Sequence, residues 1–178
     1  LERQPRGIFV CDGESVSDLA ALGSALRSFR AAAVLLAGPV AFLPFWADSI
    51  GLHRTYRLIR PTATRLLVAC GSRHPASLEQ ARHGAAIGLE VIRTPEAVQS
   101  DPDAVAGNLA DHVAERVTKA SPDALVVFGG DTLAAICRRL NWKKLRSLGE
   151  FASGVSISAA DQADILVIAK AGGFGPAD

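Results

Sequence analysis

The 178-residue chain has no methionine and only three cysteines, Cys11, Cys70 and Cys137. The cysteines are odd in number, sit in apolar stretches and form neither a C-x-x-C pair nor a ligand-spaced partnership with a histidine, which argues against a disulfide framework or a zinc site. His53, His83 and His112 are likewise spaced wrongly for a metal centre, so no protein-held metal is expected. The longest apolar stretch, Ala31 to Ala47, is broken by Gly38, Pro39 and Pro44, too short and interrupted for a bilayer-crossing helix. No secretory pattern precedes it, so the expected setting is the cytoplasm with no membrane partner. Nineteen Lys and Arg against 18 Asp and Glu leave a formal charge of +1, interspersed without a basic stripe, which argues against nucleic acid as a partner. There is no internal repeat or low-complexity segment. Neither G-x-x-x-x-G-K-[ST] nor G-x-G-x-x-G occurs, so any nucleotide would be held in a less common way. A complete translated chain opens on methionine, whereas this one opens on the polar run Leu1-Glu2-Arg3-Gln4-Pro5-Arg6. Either a preceding segment is expected to be absent, or methionine positions have dropped out and some sequence neighbours are not true neighbours.

What the chain does have is 49% apolar residues, enough for a core of ordinary size in one domain with an appended arm. Short β-type runs alternate with segments of helical period, which predicts an α/β fold: an open, mostly parallel sheet with helices on both faces, in three layers. Strands are expected at Gly7 to Cys11, Ala33 to Ala37, Arg65 to Cys70, Leu89 to Arg93, Ala124 to Phe128 and Ile165 to Ala169. Helices are expected at Ser15 to Phe29, capped by Ser15 or Asp12, at Val40 to Asp48, Pro75 to Ile87 and Asp101 to Ala120, and, following the loop Gly129-Gly130-Asp131-Thr132, on to about Leu140. The arginine-rich stretch His53 to Pro61 reads as a linker, giving a first segment over 1–60 and a second domain over 61–178.

Ligands of open parallel sheets sit beyond the carboxyl ends of the strands, and three strands here run into loops of small residues. In the first, Gly71-Ser72-Arg73-His74, the glycine lets the backbone turn and the Ser72 hydroxyl with nearby amides suits a phosphate oxygen; a plain helix cap is the other reading. In the second, Gly129-Gly130-Asp131-Thr132, two glycines allow close approach and the next helix offers unpaired N–H groups. Asp131 either caps that helix or holds a magnesium-bound water. The third, Lys170-Ala171-Gly172-Gly173-Phe174-Gly175, sets a cation at a strand end and then makes room for a nucleotide, or is a flexible tail.

In this order and spacing, these motifs resemble the carboxyl-terminal nucleotide-binding region of the four-carbon acid sugar kinases. The resemblance rests on Val126 to Ala134, on Gly154-Val155, on Val167 to Gly175, and on Val68 to Gln80, which is similar to the family's G-S-x-S-x-x-T-x-x-Q segment. Cys11 to Leu19 resembles its D-A-x-x-x-x-D-L stretch. His74 stands where the family has serine, Ser77 where it has threonine, and the family's proline before Gly154 is lacking. The resemblance implies that Ser72, Gly129, Gly130, Asp131, Thr132 and Gly172 contact ATP, with Gly173 and Lys170 as neighbours, and that Mg2+ accompanies the nucleotide. It implies an acid sugar such as threonate, erythronate or an oxo derivative as second substrate, and leaves self-association into a homo-oligomer open. It makes 61–178 the nucleotide-binding domain and 1–60 the end of a substrate domain or a connecting segment. The catalytic base is expected to be missing, with Asp12, Glu14 and Asp18 flanking and capping a helix instead. A non-catalytic nucleotide- or phosphate-binding module, and an interaction domain with purely structural glycine loops, are the competing readings.

Overall fold

A computed structural model describes residues 7–28, 34–52, 58–95, 101–152 and 154–173. They fall into two units, Leu1–Thr55 and Tyr56–Asp178.

In the first unit, α1 (Val16–Ala25) starts at a capping box: the Ser15 hydroxyl accepts from the Asp18 N–H while Asp18 accepts from the Ser15 N–H. Ser15, not Asp12, is therefore the cap. A single 3-10 turn, Leu26–Ser28, ends the helix, and Phe29 lies outside the described residues. Another 3-10 turn, Val40–Phe42, leads into α2 (Leu43–Ser49). The two helices approach closely at Gly23, where a Cβ would stand 2.8 Å from the Phe45 carbonyl oxygen. The strands expected at Gly7 to Cys11 and Ala33 to Ala37 are corrected here: residues 7–11 and 34–37 form no strand, and Ala33 lies outside the described residues. Ile8 is 96% exposed and Leu35 97%. β-type composition reports a preference for a pleated, half-buried surface, and a segment with no neighbouring backbone to pair with cannot realise it.

The second unit is built on one six-stranded sheet. Its strands are β1 (Leu66–Cys70), β2 (Glu90–Arg93), β3 (Ala124–Phe128), β4 (Leu145–Ala152), β5 (Val155–Ala160) and β6 (Leu166–Lys170), in the order β2-β1-β3-β6-β5-β4. The first four in that order run parallel; β5 and β4 extend the edge antiparallel. The β4–β5 hairpin was not expected. The helices are α3 (Pro75–Ala86), α4 (Pro102–Ala120) and α5 (Gly130–Arg139).

Alternation along the strands sorts the two faces. Leu67, Ala69, Leu125, Val127 and Val167 pack with Leu109, Ala110 and Val113 of α4 and with Ala135 and Ile136 of α5. Val68, Cys70 and Phe128 pack with Ala81 of α3 on the opposite face. Both faces of the parallel strands are thus covered, which is why β1 and β3 read as near-continuous apolar runs. At the amino end of the sheet Asp123 ties β3 to β1, accepting from the Thr64 and Arg65 N–H groups, the Thr64 hydroxyl and the Arg65 guanidinium.

Candidate functional site

The chain leaves β1 into α3 on one face of the sheet and leaves β3 into α5 on the other. The two departures thus diverge at the carboxyl ends of β1 and β3, the position at which open sheets hold ligands in a crevice. β6 lies beside β3, so its loop borders the same region.

The three glycine loops interlock there. Gly71 packs so tightly on α5 that a Cβ would lie 2.0 Å from Thr132 Oγ1, 3.1 Å from Thr132 Cβ and 3.2 Å from Leu109 Cδ2. Gly172 is similarly confined by the first loop, since its Cβ would meet Ser72 Oγ at 2.3 Å. Gly129 takes φ +110°, a backbone conformation natural only to glycine, and its N–H donates to the Lys170 carbonyl at 3.1 Å. A Cβ on Gly173 would stand 3.5 Å from His74 Nε2. Ser72, Gly129, Thr132, Gly172 and Gly173 are therefore brought together around the first loop.

Gly130 and Asp131 are placed differently. They form the first turn of α5 and are exposed; a Cβ on Gly130 would meet nothing within 4 Å. No side chain caps this helix, so Asp131 does not do so. The amino end of α5 consequently offers backbone N–H groups and the positive end of a helix dipole beside open space.

Lys170 is 8% exposed and lies under the loops, its Nζ 3.4 Å from Ser77 Oγ, 3.4 Å from the Ala171 carbonyl oxygen and 4.7 Å from the Phe128 ring centre. Burial pushes its pKa below the ordinary lysine value, and burial pushes the thiol of neighbouring Cys70 up. The cation thus forms part of the base of the site, pinning the third loop to α3. Two participants were outside the expected set of ligand residues. Ser77, fully buried, donates its hydroxyl to the Gly172 carbonyl; the signal was a polar residue on the inward stripe Ser77, Ala81, Gly84 of α3. His74 caps α3, its Nδ1 accepting from the Ala76 N–H, and its own N–H donates to Ser72 Oγ at 3.2 Å.

Among the described residues no group of three or more His, Cys, Asp and Glu could hold a metal ion. No described helix is long and apolar enough to cross a membrane.

Residues 53–178 match the model of the nucleotide-binding C-terminal domain. Solved structures share the architecture. One is a domain of unknown function from Bordetella bronchiseptica, with bound citrate and as a domain-swapped dimer; it is 23% identical, with 92% of this chain and 47% of that chain covered at a TM-score of 0.59. Another, a Haemophilus influenzae protein, is 18% identical over 94% of this chain and 50% of that one, with a TM-score of 0.65. This chain therefore spans about half the length of those structures. A search of curated proteins gave no significant match. With its family model matched over residues 53–178, and its loop motifs resembling the four-carbon acid sugar kinases, the chain belongs to the nucleotide-binding C-terminal domain family.

Proposed function

We propose that the crevice between β1 and β3 binds ATP with Mg2+, and that the chain supplies the nucleotide half of a cytoplasmic kinase that phosphorylates a four-carbon acid sugar of the threonate, erythronate or oxo-tetronate type. The observation that carries this reading is the interlock of the three loops: side chains are excluded at Gly71 and Gly172, while the amino end of α5 stays open at Gly130. Such a surface fits phosphate oxygens, which need backbone N–H groups at close range and no intervening Cβ. Ser72, Gly129, Gly130, Thr132, Gly172 and Gly173 would hold the phosphates, with Lys170 supplying positive charge from below. Magnesium would be carried mainly by the phosphates, with Asp131, the carboxylate within the three loops, taking one of its waters.

Phosphoryl transfer rests on positioning and on charge neutralisation, and this chain supplies the nucleotide's share of both. Asp18 is committed to the α1 cap, which holds its carboxyl below the ordinary range through the Ser15 hydroxyl and nearby N–H groups, so no catalytic base is assigned among Asp12, Glu14 and Asp18. The acid sugar and its base belong to a partner segment in this proposal, with a homo-oligomer as one way to supply it. The second reading, a non-catalytic nucleotide or phosphate module, is favoured by Asp131 being the only carboxylate in the three loops.

Thermal unfolding with increasing Mg·ATP tests nucleotide binding: the midpoint must climb with the logarithm of concentration above Kd. A flat response to millimolar nucleotide would refute the proposal. ADP release on adding threonate or erythronate to the full-length protein separates the kinase from the non-catalytic module.

A further inference from the structure

A formal charge of +1 over the whole chain hides a local excess. From Thr132 to Gly149 there is no Asp or Glu, and residues 138–146 carry five cations, Arg138, Arg139, Lys143, Lys144 and Arg146. All five are exposed.

Local structure gathers them into one patch. α5 ends at Arg139, and Asn141, at φ +56°, turns the chain out of the helix. The Asn141 N–H donates to the Arg138 carbonyl at 3.2 Å and the Trp142 N–H to the Cys137 carbonyl at 2.9 Å, while Trp142 itself is buried, 7% exposed. Lys143 and Lys144 therefore follow directly on the last turn of α5, and Arg146 lies at the start of β4. α5 runs back along the sheet from the carboxyl end of β3, roughly 15 Å at 1.5 Å per residue, so the patch lies at the end of the sheet opposite the glycine loops.

The negative end of the helix dipole accounts for Arg138 and Arg139 in the last turn, but not for Lys143, Lys144 and Arg146 beyond it. Arg139 is paired with Asp111. Arg138, Lys143, Lys144 and Arg146 have no ion pair or side-chain hydrogen bond among the described residues. Like charges gathered this way repel one another, a cost that an anionic partner removes.

We infer that this patch docks an acidic polypeptide segment, rich in Asp and Glu, of another protein. The inference is independent of the nucleotide reading. Other polyanions fit less well. Single-stranded nucleic acid is held by stacking on exposed aromatic rings as well as by charge, and the one aromatic side chain between Thr132 and Gly149 is the buried Trp142. A lipid surface takes apolar side chains beside the cations, whereas Leu140 and Leu145 pack against the core. Two exposed carboxylates also flank the patch: Asp161, whose N–H donates to the Lys144 carbonyl at 3.1 Å, and Asp164 in the same turn. A phosphate polymer brings negative charge to them at every unit, while a polypeptide can set a neutral or basic residue there.

Fluorescence anisotropy of a labelled oligoglutamate peptide, titrated with the whole chain, tests this. Binding at about 20 mM salt should weaken steadily towards about 200 mM. Lys143→Glu with Lys144→Glu should weaken it at least about tenfold, while Arg27→Glu with Arg82→Glu, the same change of charge at exposed positions outside the patch, should leave it within about twofold. If the reversed lysine pair fails to fold, Lys143→Gln with Lys144→Gln takes its place, with an expected loss of about threefold or more. Uridine homopolymer RNA and phosphatidylserine vesicles, run alongside, should bind more weakly than the peptide. Absence of peptide binding at low salt, or equal losses in the two reversed pairs, would overturn the inference. So would tighter binding of the RNA or the vesicles that depends on Lys143 and Lys144.

Discussion

Replacing Gly71 with alanine should destabilise the second unit and loosen its site at the same time. The added Cβ would stand 2.0 Å from Thr132 Oγ1, against the 3.4 Å at which ordinary van der Waals contact begins. Rotating Thr132 removes that overlap but not the 3.1 Å approach to Thr132 Cβ or the 3.2 Å approach to Leu109 Cδ2. Thr132 is 4% exposed and Leu109 also 4%, so neither can swing into solvent. Overpacking of this kind costs about 1–3 kcal/mol, and with two residual contacts we expect about 2 kcal/mol. For a unit of this size that lowers the unfolding midpoint by about 6–10 °C. Calorimetry of Gly71→Ala, Thr132→Ala and the double variant checks the cause. Removing the hydroxyl should recover about half of the loss in the double variant, a coupling of about 1 kcal/mol. An unchanged midpoint for Gly71→Ala, or strictly additive losses, would refute the close packing of the first loop on α5.

Ser77→Ala removes the buried hydroxyl that donates to the Gly172 carbonyl and should cost about 1–2 kcal/mol, read in urea, with a further loss of ATP affinity as the third loop is released. Lys170 has a folded-state pKa below its unfolded value, so the unfolded chain binds more protons at alkaline pH and this residue makes stability rise with pH above its folded pKa. Lys170→Met should abolish that alkaline rise, measured as the unfolding midpoint between about pH 8 and pH 10, and should weaken ATP. Asp123 runs the other way. The Arg65 guanidinium, with the N–H groups and hydroxyl around it, holds its carboxyl far below the ordinary range, so its contribution is present above the unfolded pKa of about 3.9 and is lost as pH falls below it. Asp123→Asn should flatten that acid limb in a pH series of unfolding curves.

The parallel half of the sheet was legible because β1, β3 and β6 are buried on both faces and therefore carry unbroken apolar runs between loops rich in small residues. Helices α3 and α4 were legible from their period and from prolines near their first turns. β4 was not: its sequence Leu-Arg-Ser-Leu-Gly-Glu-Phe-Ala has its register against β5 interrupted twice, between Ser147 and Gly149 and between Glu150 and Ala152, which breaks the period-two signal of an edge strand. The segments at Ile8 and Leu35 misled in the opposite sense, since composition reports the wish for a partner backbone and not its presence. At the site, the loops could be named from their glycines, but the reason for each glycine could not. Gly71 and Gly172 are required by side chains 61 and 100 positions away in sequence, Thr132 and Ser72, whereas Gly129 is required by its own backbone angle. Ser77 and Lys170 show the same limit, because a hydroxyl and an ammonium that meet under the loops come from α3 and β6.

Gly130 separates the two halves of the account, because neither packing nor backbone conformation requires glycine there. It begins α5, and a Cβ would meet nothing within 4 Å. Gly130→Ala should therefore stabilise the unliganded chain by about 0.5 kcal/mol, through a less flexible unfolded state. If phosphates rest on the amino end of α5, the same methyl group obstructs them. The decisive measurement is the Kd for Mg·ATP, with the unliganded unfolding midpoint, of the parent chain and Gly130→Ala: a higher midpoint with affinity lowered about tenfold or more, roughly 1.4 kcal/mol, is the predicted result. Unchanged affinity alongside the higher midpoint would contradict phosphate binding at this end of the sheet.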